Sequence, residues 1–190
     1  MTLELLPRHD VDKIRANFVD LGHVGVSRCY DPELAAPAAA ELSLQLMKQE
    51  FRSLGHLVGK FADYKPPVDS SMGELLSQVR TNVNHLGDDL WPDRDLFLQH
   101  HEMTPEKKGN RHVDSGNIFG FVAIMTLQGN SLLRIFEDGD VHGDYVIEPG
   151  ATVFLDPVRK IEHQGIAGDM SGKRIGLVAT ILGSPRRTRS

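Results

Sequence analysis

The sequence predicts a mainly β chain with N-terminal helices, an α+β protein whose second half closes into a barrel or sandwich. Three observations carry this. Up to residue 94 the apolar residues recur largely at helical spacing. From residue 95 the texture changes to about eight short apolar, β-branched and aromatic runs cut by Gly, Asp and Pro turns, the pattern of an all-β sandwich or barrel. At 190 residues, one domain is the default, and a chain of that size buries roughly 70% of its unfolded surface without needing staples.

Residues 1–30 read as a short helix and an extended piece. Asp10 is placed to cap a turn through Val11, Ile14, Phe18 and Val19, Gly22 ends it, and Val24 and Val26 follow in a segment suited to a strand. Residues 31–55 read as the longest helix. It opens at Asp31-Pro32 or at Pro37, carries an apolar face of Leu42, Leu46, Met47, Phe51 and Leu54, and stops at Gly55. Lys65-Pro66-Pro67 is extended. A third helix begins at Ser70 or Ser71, with Glu74 placed to complete a capping box with Ser71, and buries Leu75, Leu76, Val79 and Val83.

The β series then runs in order. Leu96 to Glu102 is a strand, 104–110 a polar loop, Arg111 to Asp114 a strand and Ile118 to Leu127 a long one. Gly129-Asn130 turns into Ser131 to Phe136, Asp138-Gly139-Asp140 turns into Tyr145 to Ile147, and Glu148-Pro149-Gly150 turns into Ala151 to Leu155. Arg174 to Leu182 closes the series. The expected division is one domain over 1–183, with a helical buttress at 1–94 and a β core at 95–183, followed by a flexible basic tail at 184–190.

The totals exclude several classes. A net charge of −5 speaks against nucleic acid as the main partner. A single cysteine, Cys29, rules out an internal disulfide framework and a cysteine-based zinc site. The first residues carry scattered charges and no apolar core, which predicts no secretory signal. No apolar run is long enough to span a membrane. The expected location is cytoplasmic.

The chemistry gathers at His112, Asp114 and His163. His112 and Asp114 are two apart, so on an extended strand they share a face. His163 must arrive from a distant strand, after the Pro149-Gly150 turn and the apolar run Ala151–Leu155. Two imidazoles and a carboxylate on one side of an octahedral ion leave three positions open, which suits iron(II) better than a closed tetrahedral zinc. A bare His-x-Asp is a weak sign in a chain with nine histidines. The strand context and Arg174, eleven residues beyond His163, raise its value.

The pattern His112-Val113-Asp114, then His163 within Glu162-His163-Gln164-Gly165, then Arg174 resembles the iron(II)- and 2-oxoglutarate-dependent dioxygenases over residues 95–182. The resemblance implies a double-stranded β-helix, a jelly-roll or cupin-like barrel, buttressed by helices. It implies iron(II) on His112, Asp114 and His163, with 2-oxoglutarate as co-substrate and its distal carboxylate on Arg174. It also implies oxidation of a small-molecule substrate by O₂, with release of succinate and CO₂. Buried carboxylates need a paired charge, and a guanidinium supplies a bidentate fork. Arg134 is the rival anchor, since some branches of the family place the basic residue on an earlier strand. Many members carry a hydroxyl two residues after the arginine. Gly176 stands there, so a second donor must come from elsewhere. Asp114 fills the position that halogenating relatives leave small, which favours hydroxylation or a related oxidation.

Arg111 and Asn117, which flank the motif, and His101, in the cluster Gln99-His100-His101-Glu102, are candidate substrate contacts. His142 is read as a solvated turn residue. Phe119, Phe121 and Met125 share parity and are read as core. Two rival functions are carried: an AlkB-like oxidative demethylase of nucleic-acid bases, which wants a more basic face than Lys107, Lys108 and Arg111 offer, and a non-catalytic cupin-like binding or sensor protein.

Overall fold

Alternation of apolar side chains decides how the strands divide between two sheets. The computed structural model describes residues 1–50, 52–54, 57–59, 66–83, 86, 97–103, 109–114, 120–167 and 174–182. Asn117, the loop 104–108 with Lys107 and Lys108, and the tail 184–190 lie outside the described residues. The order is β1 (Leu5–Pro7), α1 (Val11–Leu21), β2 (His23–Ser27), α2 (Ala35–Leu46), β3 (Arg52–Leu54), β4 (Leu57–Gly59) and α3 (Ser71–Val83), then eight strands. These are β5 (Phe97–Met103), β6 (His112–Val113), β7 (Gly120–Gln128), β8 (Ser131–Glu137), β9 (Asp140–Ile147), β10 (Thr152–Leu155), β11 (Glu162–Ala167) and β12 (Arg174–Leu182).

A six-stranded sheet runs β1-β2-β10-β7-β12-β5, and a four-stranded sheet runs β6-β11-β8-β9. β3 and β4 form a separate pair. The pairing of β1 with β2 is parallel, and the other neighbours in both large sheets are antiparallel. The fold is the expected mainly β barrel with helices on one side. The first 94 residues do more than buttress it, because β1 and β2 extend the larger sheet.

Parity divides the six-stranded sheet into two buried faces. Phe121, Ala123, Met125 and Leu127 of β7 and Ile175, Leu177 and Ala179 of β12 pack with Ile14, Phe18, Leu42 and Leu75 of the three helices. Phe18 meets Phe121 edge-on, with ring centroids 4.9 Å apart. The alternate residues Val122, Ile124, Val153 and Leu155 face the smaller sheet and meet Leu133, Ile135, Tyr145 and Ile147. Among the described residues the outer face of the smaller sheet has no such cover, and its strands alternate buried with half-buried residues.

Local chemistry sets the helix limits. α1 ends at Gly22, whose φ of 75° is the left-handed cap that glycine takes without strain. The guanidinium of Arg159, from the link between β10 and β11, donates to the carbonyls of Val19 and Asp20 at that helix end, a favourable place for a cation. Val19 itself is exposed. α2 is shorter than expected. A 3-10 turn at Pro32–Leu34, capped by Asp31, precedes it, and it stops at Leu46 rather than at Gly55. Leu54 therefore belongs to β3, and Met47 is exposed. Pro37 costs little because it lies in the first turn of α2, where backbone N–H groups have no helical partner. The cap of α3 is Ser70, whose Oγ accepts the Gly73 N–H, so Glu74 stands one residue outside the expected box.

The N-terminal segment joins the two sheets. Leu3 N–H donates to Asp144 O (2.8 Å) and Asp144 N–H to Met1 O (2.9 Å) on the β9 edge, while β1 pairs with β2 in the larger sheet. Among the described residues no helix is long and apolar enough to cross a membrane.

Candidate metal centre

The centre forms where β6 and β11 pair, with His112 directly opposite His163. β6 is only two residues long and is held from several sides. Gly109 N–H donates to Gly165 O (3.0 Å), Gln164 Nε2 to Gly109 O (2.8 Å), and Arg111 forks onto Glu162. His163 is aimed by the segment before it. There Asp156 N–H bonds Gly22 O (2.8 Å), and Asp156 Oδ1 accepts the Val158 N–H (2.9 Å).

His112, Asp114 and His163 come together, with one ligand atom from each within 4.8 Å of the others. The imidazole rings are 4.3 Å apart. Each ring bonds through Nδ1 to the carbonyl two residues before it, His112 to Asn110 O and His163 to Ile161 O, both at 2.9 Å. A carbonyl only accepts, so Nδ1 carries the proton in each ring and Nε2 presents its lone pair. Those Nε2 atoms face the carboxylate, His112 at 3.8 Å from Asp114 Oδ1 and His163 at 3.8 Å from Asp114 Oδ2. Both distances are too long for hydrogen bonds.

The electrostatics fit a cation between them. Asp114 Oδ2 is buried without a hydrogen-bond partner, a costly state for a carboxylate oxygen. Charged imidazoles would answer it, but burial and the neighbouring His163 push His112 below the usual histidine range, towards the neutral form that ligates metal. Two imidazole nitrogens and one carboxylate oxygen make a suitable donor set for a divalent ion.

Arg174, the first residue of β12, is also buried, 7% exposed. Burial pushes its guanidinium down to about 10. Its side chain folds back over Gly176, where a Cβ would lie 3.2 Å from a guanidinium nitrogen. Gly176 thus leaves the space the arginine occupies, which explains a glycine where a hydroxyl residue was expected. On the same face of β11 as His163 is Gly165, and a Cβ built there meets nothing within 4 Å. The space beside Gly165 is therefore open.

The other candidates are placed elsewhere. Arg134 pairs across the sheet with Asp144, and its guanidinium forks onto that carboxylate at 2.8 and 3.0 Å. It neighbours Gln164 rather than His163 and lies on the outer face. Arg111 also turns outward, to Glu162, to Gly139 O (2.9 Å) and over the Phe136 ring at 4.0 Å. His101 sits at the register position opposite Gly176. His142 is bound to Glu137 (2.9 Å), with its ring 6.0 Å from that of His23. A separate cavity of about 1060 Å³, lined by Arg8, Arg28, Tyr30 and Asn82 among others, includes none of the metal-centre residues.

Sequence reasoning passed over three residues here. Gly165 shares the parity of His163. Thr126 is a polar residue in the inward register of β7, and its Oγ1 lies 2.5 Å from the buried Ser131 Oγ. The parity of β7 and β11 was the signal that could have found Gly165 and Thr126, whereas Ser131 needed the pairing of β8.

No protein-family model matches the chain, and no curated protein sequence matches it. Its shape does have likenesses among solved structures. A prolyl-4-hydroxylase from Pseudomonas putida superposes with a TM-score of 0.71 at 16% identity, over 90% of this chain and 98% of that one. A prolyl hydroxylase from Trichoplax adhaerens, solved with a peptide fragment of the hypoxia inducible factor oxygen degradation domain, gives 0.67 at 12% identity, over 93% and 90%. SnoN, a non-haem α-ketoglutarate-dependent epimerase of nogalamycin biosynthesis, gives 0.66 at 14% identity, over 90% and 81%. At such identities the likeness shows the fold, which is the double-stranded β-helix of 2-oxoglutarate- and iron(II)-dependent oxygenases.

Proposed function

We propose that the chain is an iron(II)- and 2-oxoglutarate-dependent oxygenase that oxidises a small molecule, by hydroxylation or a related oxidation. The observation that carries this reading is the meeting of two Nε2 lone pairs with an Asp114 oxygen that has no hydrogen-bond partner, in a barrel whose other sheet buries an arginine, Arg174. His112, Asp114 and His163 would hold the metal, and Arg174 would take the distal carboxylate of 2-oxoglutarate. Iron bound there would supply the oxidation chemistry, consuming O₂ and converting 2-oxoglutarate to succinate and CO₂.

The chain's own residues have definable tasks. The carbonyls of Asn110 and Ile161 hold the rings in one tautomer and orientation. The apolar lining of Val122, Ile124, Leu133 and Ile135 keeps water out of the barrel. Arg174, desolvated by burial, would give an anion a strong partner.

Anaerobic addition of iron(II) and 2-oxoglutarate is expected to produce the visible charge-transfer band of the chelate, and His163→Ala is expected to abolish it. Folded wild-type protein with no band would overturn the reading. A second substrate class has a specific observation behind it, since two of the similar structures are prolyl hydroxylases and one was solved with a peptide. Succinate release stimulated by a small-metabolite panel, set against prolyl peptides and methylated oligonucleotides, separates the classes. If no class stimulates release although the chelate forms, the non-catalytic binding reading takes precedence.

A further inference from the structure

The cavity of about 1060 Å³ away from the metal centre carries charge that the oxygenase reading leaves unused. One wall is made by the ends of β1 and β2. These strands run parallel with Pro7 opposite Ser27, so Arg8 and Arg28 are the next residues along, on strands about 4.8 Å apart. Both line the cavity. Of the arginines whose side chains are described, only these two make no hydrogen bond or ion pair among the described residues. Arg28 is also held at a φ of 52°, a left-handed conformation that glycine or asparagine takes more readily than arginine. Helix α3 fixes the segment around it. Asn82 Nδ2 donates to Cys29 O (2.6 Å), and Asp31 N–H donates to Gln78 Oε1 (2.8 Å). A strained turn that presents a guanidinium with no protein partner points to a partner from outside the chain.

We infer that this cavity binds a phosphate monoester of a small molecule, with the phosphate between Arg8 and Arg28 and the organic body against Tyr30 and α3. A phosphate monoester brings three terminal oxygens and close to two negative charges, enough to engage two guanidinium forks, whereas one carboxylate fills a single fork. The volume is that of a small-molecule site and more than bare phosphate fills. Asp31 and Glu33 also line the cavity, which disfavours a polyanion and suits a ligand charged at one end. No metal-centre residue belongs to it, so the inference stands apart from the oxygenase reading.

The test is titration calorimetry on the full-length protein at low salt without added metal. The probes are phenyl phosphate and ribose 5-phosphate, set against benzoate, ribose and inorganic phosphate. The two esters are expected to bind more tightly than the other three. Arg8→Ala and Arg28→Ala are each expected to weaken the esters by roughly ten- to a hundredfold, and Arg134→Ala to leave them unchanged. Arg28→Gly is expected to lose the same affinity with a melting temperature at or above wild type, because glycine relieves the backbone. All three variants at Arg8 and Arg28 are expected to keep the chelate band of iron(II) and 2-oxoglutarate. Folded wild-type protein that binds neither ester overturns the assignment. So does benzoate or inorganic phosphate bound as tightly, or an equal loss in Arg134→Ala. A melting temperature well below wild type for Arg28→Gly would make the guanidinium structural, and a lost chelate band would join the cavity to the metal centre; either result also overturns it. Wild-type protein that binds the esters but forms no chelate overturns the oxygenase reading alone.

Discussion

The two sheets are built from the same kinds of strand and put to different uses. The six-stranded sheet is apolar on both faces, with helices behind it and the barrel interior before it. The four-stranded sheet buries apolar residues inside and mixes half-buried apolar residues with charged ones outside. Its outer face carries ion pairs, Arg134 with Asp144 and Arg111 with Glu162. The larger sheet supplies rigidity and the buried Arg174, and the smaller one supplies His163 and, through β6, His112 and Asp114. An arginine on the wrong side of one strand is thus a surface ion pair, and on the right side of another it is a candidate anchor.

The contrast can be broken first in the core. Phe121→Ala, in the doubly covered sheet, is expected to cost about 3–5 kcal/mol by denaturant unfolding. An effect no larger than that of a surface substitution would mean the helices do not clamp this face. Next come the two arginines. Arg174→Ala is expected to weaken 2-oxoglutarate binding by about 2–5 kcal/mol, and Arg134→Ala to leave it unchanged. The reverse order would move the anchor to the outer face.

A pH effect comes third. Burial, and secondarily His142, push His23 down to about 4, where its Nδ1 meets the Tyr145 hydroxyl at 2.9 Å. The unfolded chain takes up this proton near pH 6.5 and the folded chain does not until about 4. Stability from this group is therefore whole above pH 6.5 and falls as pH drops towards 4, by up to about 3 kcal/mol. His23→Gln should flatten that part of the stability–pH curve, and an unchanged slope would assign it to other groups. Arg111→Ala is the smallest change expected. Its guanidinium is exposed, so the melting temperature and the chelate band should both stay close to wild type. A lost band would show that the Glu162 pair is needed to hold β6 in place.

What was legible in the sequence follows the same division. His112 and Asp114 share a face because strand parity is a backbone property, and Arg174 with Gly176 does so for the same reason. Arg111, a candidate substrate contact in the sequence, has the opposite parity to His112 and turns to Glu162. Arg134 was not legible, because Ser131–Phe136 carries apolar residues at both parities and only the pairing with β9 and β11 shows which side is inside. The early stop of α2 and the entry of β1 and β2 into the sheet are tertiary outcomes, fixed by partners more than a hundred residues away in the case of β2 and β10. The reason for Gly176 could not be read either, since it depends on the path of another side chain.

The two imidazoles take their orientation from carbonyls just ahead of their own strands, two residues upstream in each case. The donor set is therefore organised before any ion arrives, and little conformational entropy is left to lose on metal binding. Preorganisation of this kind does not discriminate among ions. Nitrogen and oxygen donors hold nickel, copper and zinc more tightly than iron(II). The ion carried by protein isolated from cells should then report the metals it met rather than a preference of the site, and the order in which metals are offered will decide whether a preparation is active.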